Sequence, residues 1–136
     1  MIIDQQILDS LTAQAKASPR LRMNLDLRNS QDDKSQRMLN ALEPGTVLPI
    51  HRHRASTETV IMLRGRIRWT FYDDEGRETE RVTLDANGAP RGLNIEKGRW
   101  HLVESLESGS VLFECKDGPY EPLGEEDILS PVVKSQ

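Results

Sequence analysis

The sequence predicts an all-β barrel or sandwich preceded by one short α-helix. Three observations carry this. A helical periodicity is confined to the first residues, short alternating segments follow it, and turn signals recur between those segments. A length of 136 residues suits one domain able to bury its own core.

The helix is expected over residues 3–17, with Asp4 near its start as a cap. Ile3, Ile7, Leu8, Leu11 and Ala15 share one face, and Ser18-Pro19 ends it. Met23, Leu25 and Leu27 alternate with polar neighbours, as an extended segment does, and residues 30–35 form a polar loop. Met38 to Leu42 fits helix or strand by pattern, and the β-rich remainder favours strand. Glu58 to Leu63 is apolar and β-branched. Ile67, Trp69 and Phe71 alternate with Arg66, Arg68, Thr70 and Tyr72, the pattern of a half-buried strand. The Asp73–Gly76 turn leads to a strand over 79–84, and a Gly/Pro/Asn loop over 85–92 follows. Short strands are expected over 93–95, 101–106 and 111–115, the last broken by Asp117-Gly118-Pro119. The organisation expected is one domain over 1–122, including a helical segment within 1–18, and a tail over 123–136 whose end is mobile.

Hydrophobic content of 36% and charged content of 29% are ordinary for a globular protein. A formal charge of -4 offers no basic field for nucleic acid. No apolar run approaches the roughly 18–20 residues of a membrane span. An acid near the N-terminus where a signal peptide carries basic residues, and a single Cys115, suggest the cytoplasm. Cys115 is expected to be a buried small apolar residue rather than a nucleophile.

All three histidines fall in two places, His51 with His53 and His101. On an extended chain, positions i and i+2 face the same way, so His51 and His53 can point into one interior. Glu58 follows after a stretch long enough to turn its carboxylate back beside them. His101, from a later strand, completes a set of three imidazoles and one carboxylate. A His-x-His pair alone is more often incidental than a metal site. The concentration of every histidine in two short segments favours one divalent transition metal ion: Fe, Mn, Ni, Co, Cu or Zn.

The segment Gly45, His51, His53, Glu58, Gly65 resembles the first motif of the cupin superfamily, Gly-(x)5-His-x-His-(x)4-Glu-(x)6-Gly, at every defined position. Gly98 and His101 keep the glycine and histidine spacing of the second motif, while Glu96 and Ser105 replace its proline and asparagine. More narrowly, residues 2–122 resemble the WbuC family of small cupin-fold metalloproteins. The stretches that carry this are Met38–Gly45, His51–His53, Gly98–His101 and Val111–Tyr120. The resemblance implies a cupin jelly-roll β-barrel, a metal held by His51, His53, Glu58 and His101, a homodimer, and an occurrence among bacterial cell-surface polysaccharide genes.

Around these residues, Arg52 and Arg54 are candidates to hold an anionic or sugar-like small molecule. Trp100 and Tyr120 are further candidates for contact with it, although strand parity turns Trp100 away from His101. Val60 and Met62 share parity with Glu58 and should wall the pocket; Trp69 and Phe71 should be core, with pocket lining by one of them as the alternative. Glu114 lies in an otherwise apolar strand and needs a partner; a ligand histidine is expected to supply one, which makes Glu114 a supporting or acid/base candidate. Arg52, Arg54, Arg64, Arg66 and Arg68 form a basic run whose favoured reading is a solvated face, the ligand role of Arg52 or Arg54 being the sharper alternative. A metal-dependent enzyme on a small molecule is favoured, ahead of a binding module without turnover. A purely structural metal comes last, because such sites tend to be closed and rich in cysteine.

Overall fold

A computed structural model describes residues 1–129. The helix α1 runs Gln5–Ala17, and the Asp4 carboxylate accepts from the Ile7 amide at 3.1 Å, satisfying one of the free donors at the helix start. Ile3 therefore precedes the cap and is exposed, instead of joining the buried face that Leu8, Leu11 and Ala15 form.

Eight strands follow: β1 Arg22–Asp26, β2 Ser35–Leu42, β3 Glu58–Arg64, β4 Arg66–Tyr72, β5 Glu78–Asp85, β6 Gly92–Ile95, β7 Trp100–Ser105 and β8 Ser110–Asp117. They form a five-stranded sheet in the order β1-β2-β8-β3-β6 and a three-stranded sheet in the order β5-β4-β7, with every pairing antiparallel. This is the jelly-roll arrangement that the motifs imply. The polar loop and turns fall where Gly, Asp and Asn mark them. Gly65 and Gly76 take positive φ at the β3–β4 and β4–β5 turns, which glycine adopts without a Cβ penalty.

Two apolar clusters explain the patterns. Between the sheets lie Val60, Met62, Ile67, Trp69, Phe71, Leu84 and Leu112. Behind the larger sheet, Leu39, Ala41 and Val111 meet Leu8, Leu11 and Ala15 of the helix. Strand β2 is thus covered on both faces, so its apolar residues run without clean alternation, and pattern alone leaves helix and strand open there. The described part of the tail is attached rather than loose. A 3-10 turn spans Glu125–Asp127, and the Leu129 amide donates to the Ile50 carbonyl at 2.9 Å. The expectation of a mobile end falls on residues outside those described.

Candidate metal centre

His51 and His101 come from segments far apart in sequence, yet their backbones form an isolated antiparallel bridge. His51 lies outside any named strand; this bridge, and a second one to Ile128, hold it extended. His53 follows two positions later and faces the same interior. One ring nitrogen from each of His51, His53 and His101 lies within 4.8 Å of the other two.

The tautomers follow from the bonding. His51 Nδ1 is 3.0 Å from the Pro49 carbonyl and His101 Nδ1 is 2.9 Å from the Arg99 carbonyl. A carbonyl only accepts, so each Nδ1 carries the proton, and each Nε2 keeps its lone pair. Fixing a ring through its distant nitrogen is how ligand histidines are oriented. Burial lowers all three histidines below their ordinary value. His53 falls to about 4, helped by the Lys116 charge, and His101 falls to about 3, helped by His51. At neutral pH the three rings are uncharged, the state a metal requires.

Glu58 Oε1 lies 3.7 Å from His101 Nε2, but Glu58 is not a member of the mutually close set of three. Its carboxyl is buried, and burial followed by the neighbouring Glu114 charge pushes its pKa well above the ordinary value. Burial works against ionising Glu114 as well. The hydrogen bond with Glu58, the Lys116 charge and the Asn40 amide outweigh it and hold Glu114 below its ordinary value. The partners of Glu114 are Glu58, Asn40 at 3.2 Å and Lys116 at 3.6 Å, in place of the ligand histidine expected from sequence. Asn40 and Lys116 escaped the sequence reading as a pair. The signal available was a polar residue inside each of two strands whose neighbours are apolar, Asn40 in β2 and Lys116 beside Glu114 in β8.

These groups line a cavity of about 620 Å³. Gln36, Asn40, Leu112, Glu114, Lys116 and Val60 line it from the larger sheet, polar and apolar interleaved, and Trp69 and Val103 line it from the smaller one. Val60 takes the wall position expected of it, whereas Met62 lies in the core between the sheets. Trp69 belongs to the core and also lines the cavity.

The remaining candidates are placed as follows. Arg54 donates to Asp127 at 2.7 Å and to Glu126 at 2.6 Å. Arg52 donates to the Glu126 carbonyl at 2.9 Å, and its guanidinium stacks 4.4 Å from the Trp100 ring centroid. Trp100 is buried outside the cavity wall, with its indole N–H donating to Asp74 at 3.0 Å. Tyr120 stands at the mouth, largely exposed. Cys115 is half-buried, not buried as expected, because it faces away from the interior that Glu114 and Lys116 share. Of the basic run, Arg66 pairs with Glu107 and Arg68 with Glu104, while Arg64 reaches the helix.

The donor set suits a divalent ion. Three neutral imidazoles present free lone pairs, and the buried Glu58 carboxyl stands next to them; such a set fits a transition metal better than calcium or magnesium.

A family model described as a domain of unknown function (DUF6016) matches residues 3–84. The chain belongs to the DUF6016 family. That match holds His51, His53 and Glu58, while His101 lies beyond it. Curated proteins offer no match to this DUF6016 chain. Among solved structures it is similar to KdgF from Halomonas sp., with a TM-score of 0.59 and 14% identity over 76% of this chain and 84% of that one. It is also similar to the capsular polysaccharide assembling protein CapF from Staphylococcus aureus, with a TM-score of 0.58 and 16% identity over 74% of this chain and 30% of that one. Oxalate decarboxylase from Bacillus subtilis gives a TM-score of 0.58 and 18% identity over 80% of this chain and 28% of that one. The DUF6016 chain thus spans less than a third of the latter two. At these identities the likeness establishes the cupin jelly-roll fold. Among the described residues, no helix is long and apolar enough to cross a membrane.

Proposed function

We propose that this protein is a metal-dependent enzyme acting on a small molecule, with His51, His53, Glu58 and His101 as the ligands of one divalent transition metal ion. One observation carries the reading: three imidazoles converge in a cavity that is also lined by two buried carboxyls, Glu58 and Glu114. A metal bound there supplies Lewis acidity to a substrate oxygen. The chain supplies the rest. Pro49 and Arg99 carbonyls aim His51 and His101, Glu114 can hold or move a proton beside the site, and Val60, Trp69 and Leu112 add apolar surface to the lining.

A sugar or sugar nucleotide suits the cavity, because amide side chains, aliphatic side chains and an indole share its lining. The WbuC resemblance and the likeness to a capsular polysaccharide assembling protein lean toward cell-surface polysaccharide synthesis. The Mn(II) centres described for oxalate decarboxylase favour manganese among the candidate ions. The reading includes a homodimer and a cytoplasmic location. A binding module without turnover is the second reading, and Glu114, a buried carboxyl lining the cavity with the three imidazoles, is what favours the enzyme over it.

The test loads the protein separately with manganese, iron, cobalt, nickel, copper and zinc, then incubates each form with a panel of sugars and sugar nucleotides. Product formation that stops on chelation supports the enzyme. Ligand binding with no product in any form establishes the binding module instead.

A further inference from the structure

The sequence points to Arg52 and Arg54 as the cationic groups for an anionic ligand. Both guanidiniums border the same cavity, but they are already engaged with residues 126 and 127. Lys116 is differently placed. Its side chain is only 12% exposed, and it lines the cavity. The pairing of β3 with β8 sets it directly opposite Glu58. Its Nζ stands 3.8 Å from Glu58 and 3.6 Å from Glu114, near enough to attract both carboxyls but beyond hydrogen-bond reach of either. The ammonium therefore keeps donors for a third partner. Its charge also bears on the floor of the site, lowering both His51 and His53.

We infer that Lys116 is the anchor for a small molecule bearing an oxyanion, carboxylate or phosphate, which spans from its ammonium to the open side of the His51–His53–His101 cluster. The inference rests on the proposed metal site and names the ligand class for it. Charge supports that class. The imidazoles bring none, so a divalent ion with one carboxylate ligand leaves the floor net positive even when Glu114 is ionised opposite Lys116. A neutral ligand would leave that excess, and a mostly buried ammonium donor, uncompensated. The gap between Lys116 and its two acids leaves an oxyanion room to take a charge-assisted bond without first breaking one.

The experiment uses the full chain loaded with cobalt(II), titrated with malonate, methyl phosphate and glycerol, and read by the cobalt absorption spectrum and by calorimetry. Malonate or methyl phosphate should bind and shift the spectrum, with glycerol far weaker, and the stronger of the two anions identifies the oxyanion. Lys116→Gln should weaken the anion by about tenfold or more while keeping its cobalt, and Lys116→Arg should recover part of the loss. Circular dichroism checks that the variants are folded, and Lys116→Arg serves if the glutamine variant is not. Unchanged anion affinity in folded Lys116→Gln overturns the anchor, as does glycerol binding as tightly as the anions, or no anion binding at all. The same titrations on chelated protein separate the two readings. Binding that depends on Lys116 but not on metal keeps the anchor and removes the metal site. Binding that depends on metal but not on Lys116 does the reverse.

Discussion

The backbones of His51 and His101 bond to each other in both directions: the His51 amide donates to the His101 carbonyl at 3.0 Å, and the His101 amide to the His51 carbonyl at 2.9 Å. This reciprocal pair joins the loop before β3 to the start of β7. It fixes two imidazoles side by side, with ring centroids 4.4 Å apart, before any metal arrives. The ligand segments are thus held by the fold, unlike a zinc finger whose site forms only with its ion. Chelated protein should keep its β-sheet circular dichroism at room temperature, and loss of that signal would show that the metal holds the barrel together.

The price of that preformed site should be a stability that falls in acid once the metal is removed. Histidines lowered to about 4 and about 3 refuse protons that the unfolded chain accepts from an ordinary value of 6.5 downward. Between these values the unfolded state binds more protons, so folding stability drops as pH falls through the window. Glu58 works in the opposite sense. Its raised value means that the folded state keeps a proton which the unfolded chain releases above 4.5, a contribution lost as pH rises through the folded value. Three histidines oppose one carboxyl, so the net slope follows the histidines. Denaturation of chelated protein between pH 7 and 4 checks this, and Glu58→Gln should steepen the decline. Stability that rises steadily on acidification contradicts the assignment of buried neutral imidazoles.

Arg64 should matter for stability and not for metal. Its guanidinium donates to Asp9 at 2.7 Å, Thr12 at 2.9 Å, the Leu8 carbonyl at 3.2 Å and the Gly109 carbonyl at 2.8 Å, tying the helix to the turn before β8. Arg64→Ala should cost about 1–3 kcal/mol, since it leaves partly buried acceptors without a donor. Metal content should stay unchanged. A denaturation midpoint equal to that of the parent would mean that the helix needs no such tie.

Two motif glycines should behave unequally, although both have positive φ. A Cβ on Gly65 would collide with Ser110 Oγ and come within 2.7 Å of Ser110 Cα, so Gly65→Ala meets backbone as well as an unfavourable φ. A Cβ on Gly98 meets nothing within 4 Å. Gly98→Ala should cost only the conformational penalty, about 1–2 kcal/mol, and Gly65→Ala clearly more. Equal thermal shifts for the two variants would contradict this difference.

Much of the fold was legible because local chemistry dictates it. Asp4 and Ser18-Pro19 bracket the helix to within two residues, and alternation in Ile67, Trp69 and Phe71 marks β4. The three histidines were legible through spacing that only an extended chain can use to face one interior. What lay hidden depends on register between distant strands. Glu114 meets Asn40 and Glu58 because β2 and β3 flank β8, and nothing near Glu114 in sequence says so. Arg52 and Arg54 looked free because the acids that pair with them stand more than 70 residues later, in a tail without periodicity. Trp100 illustrates both sides: parity turns it from His101 as expected, while its contacts with Arg52 and Asp74 come from tertiary packing alone.

The central claim is that His51, His53 and His101 hold a metal ion at the cavity floor. The direct measurement is the metal content of protein purified without added metal, then reloaded with one divalent ion, beside His51→Ala/His53→Ala and His101→Ala variants verified as folded. The account predicts close to one equivalent per chain in the parent, and none retained by the double variant or by His101→Ala. Full metal content in a folded variant lacking these imidazoles, or a parent that takes up no ion at all, would contradict it.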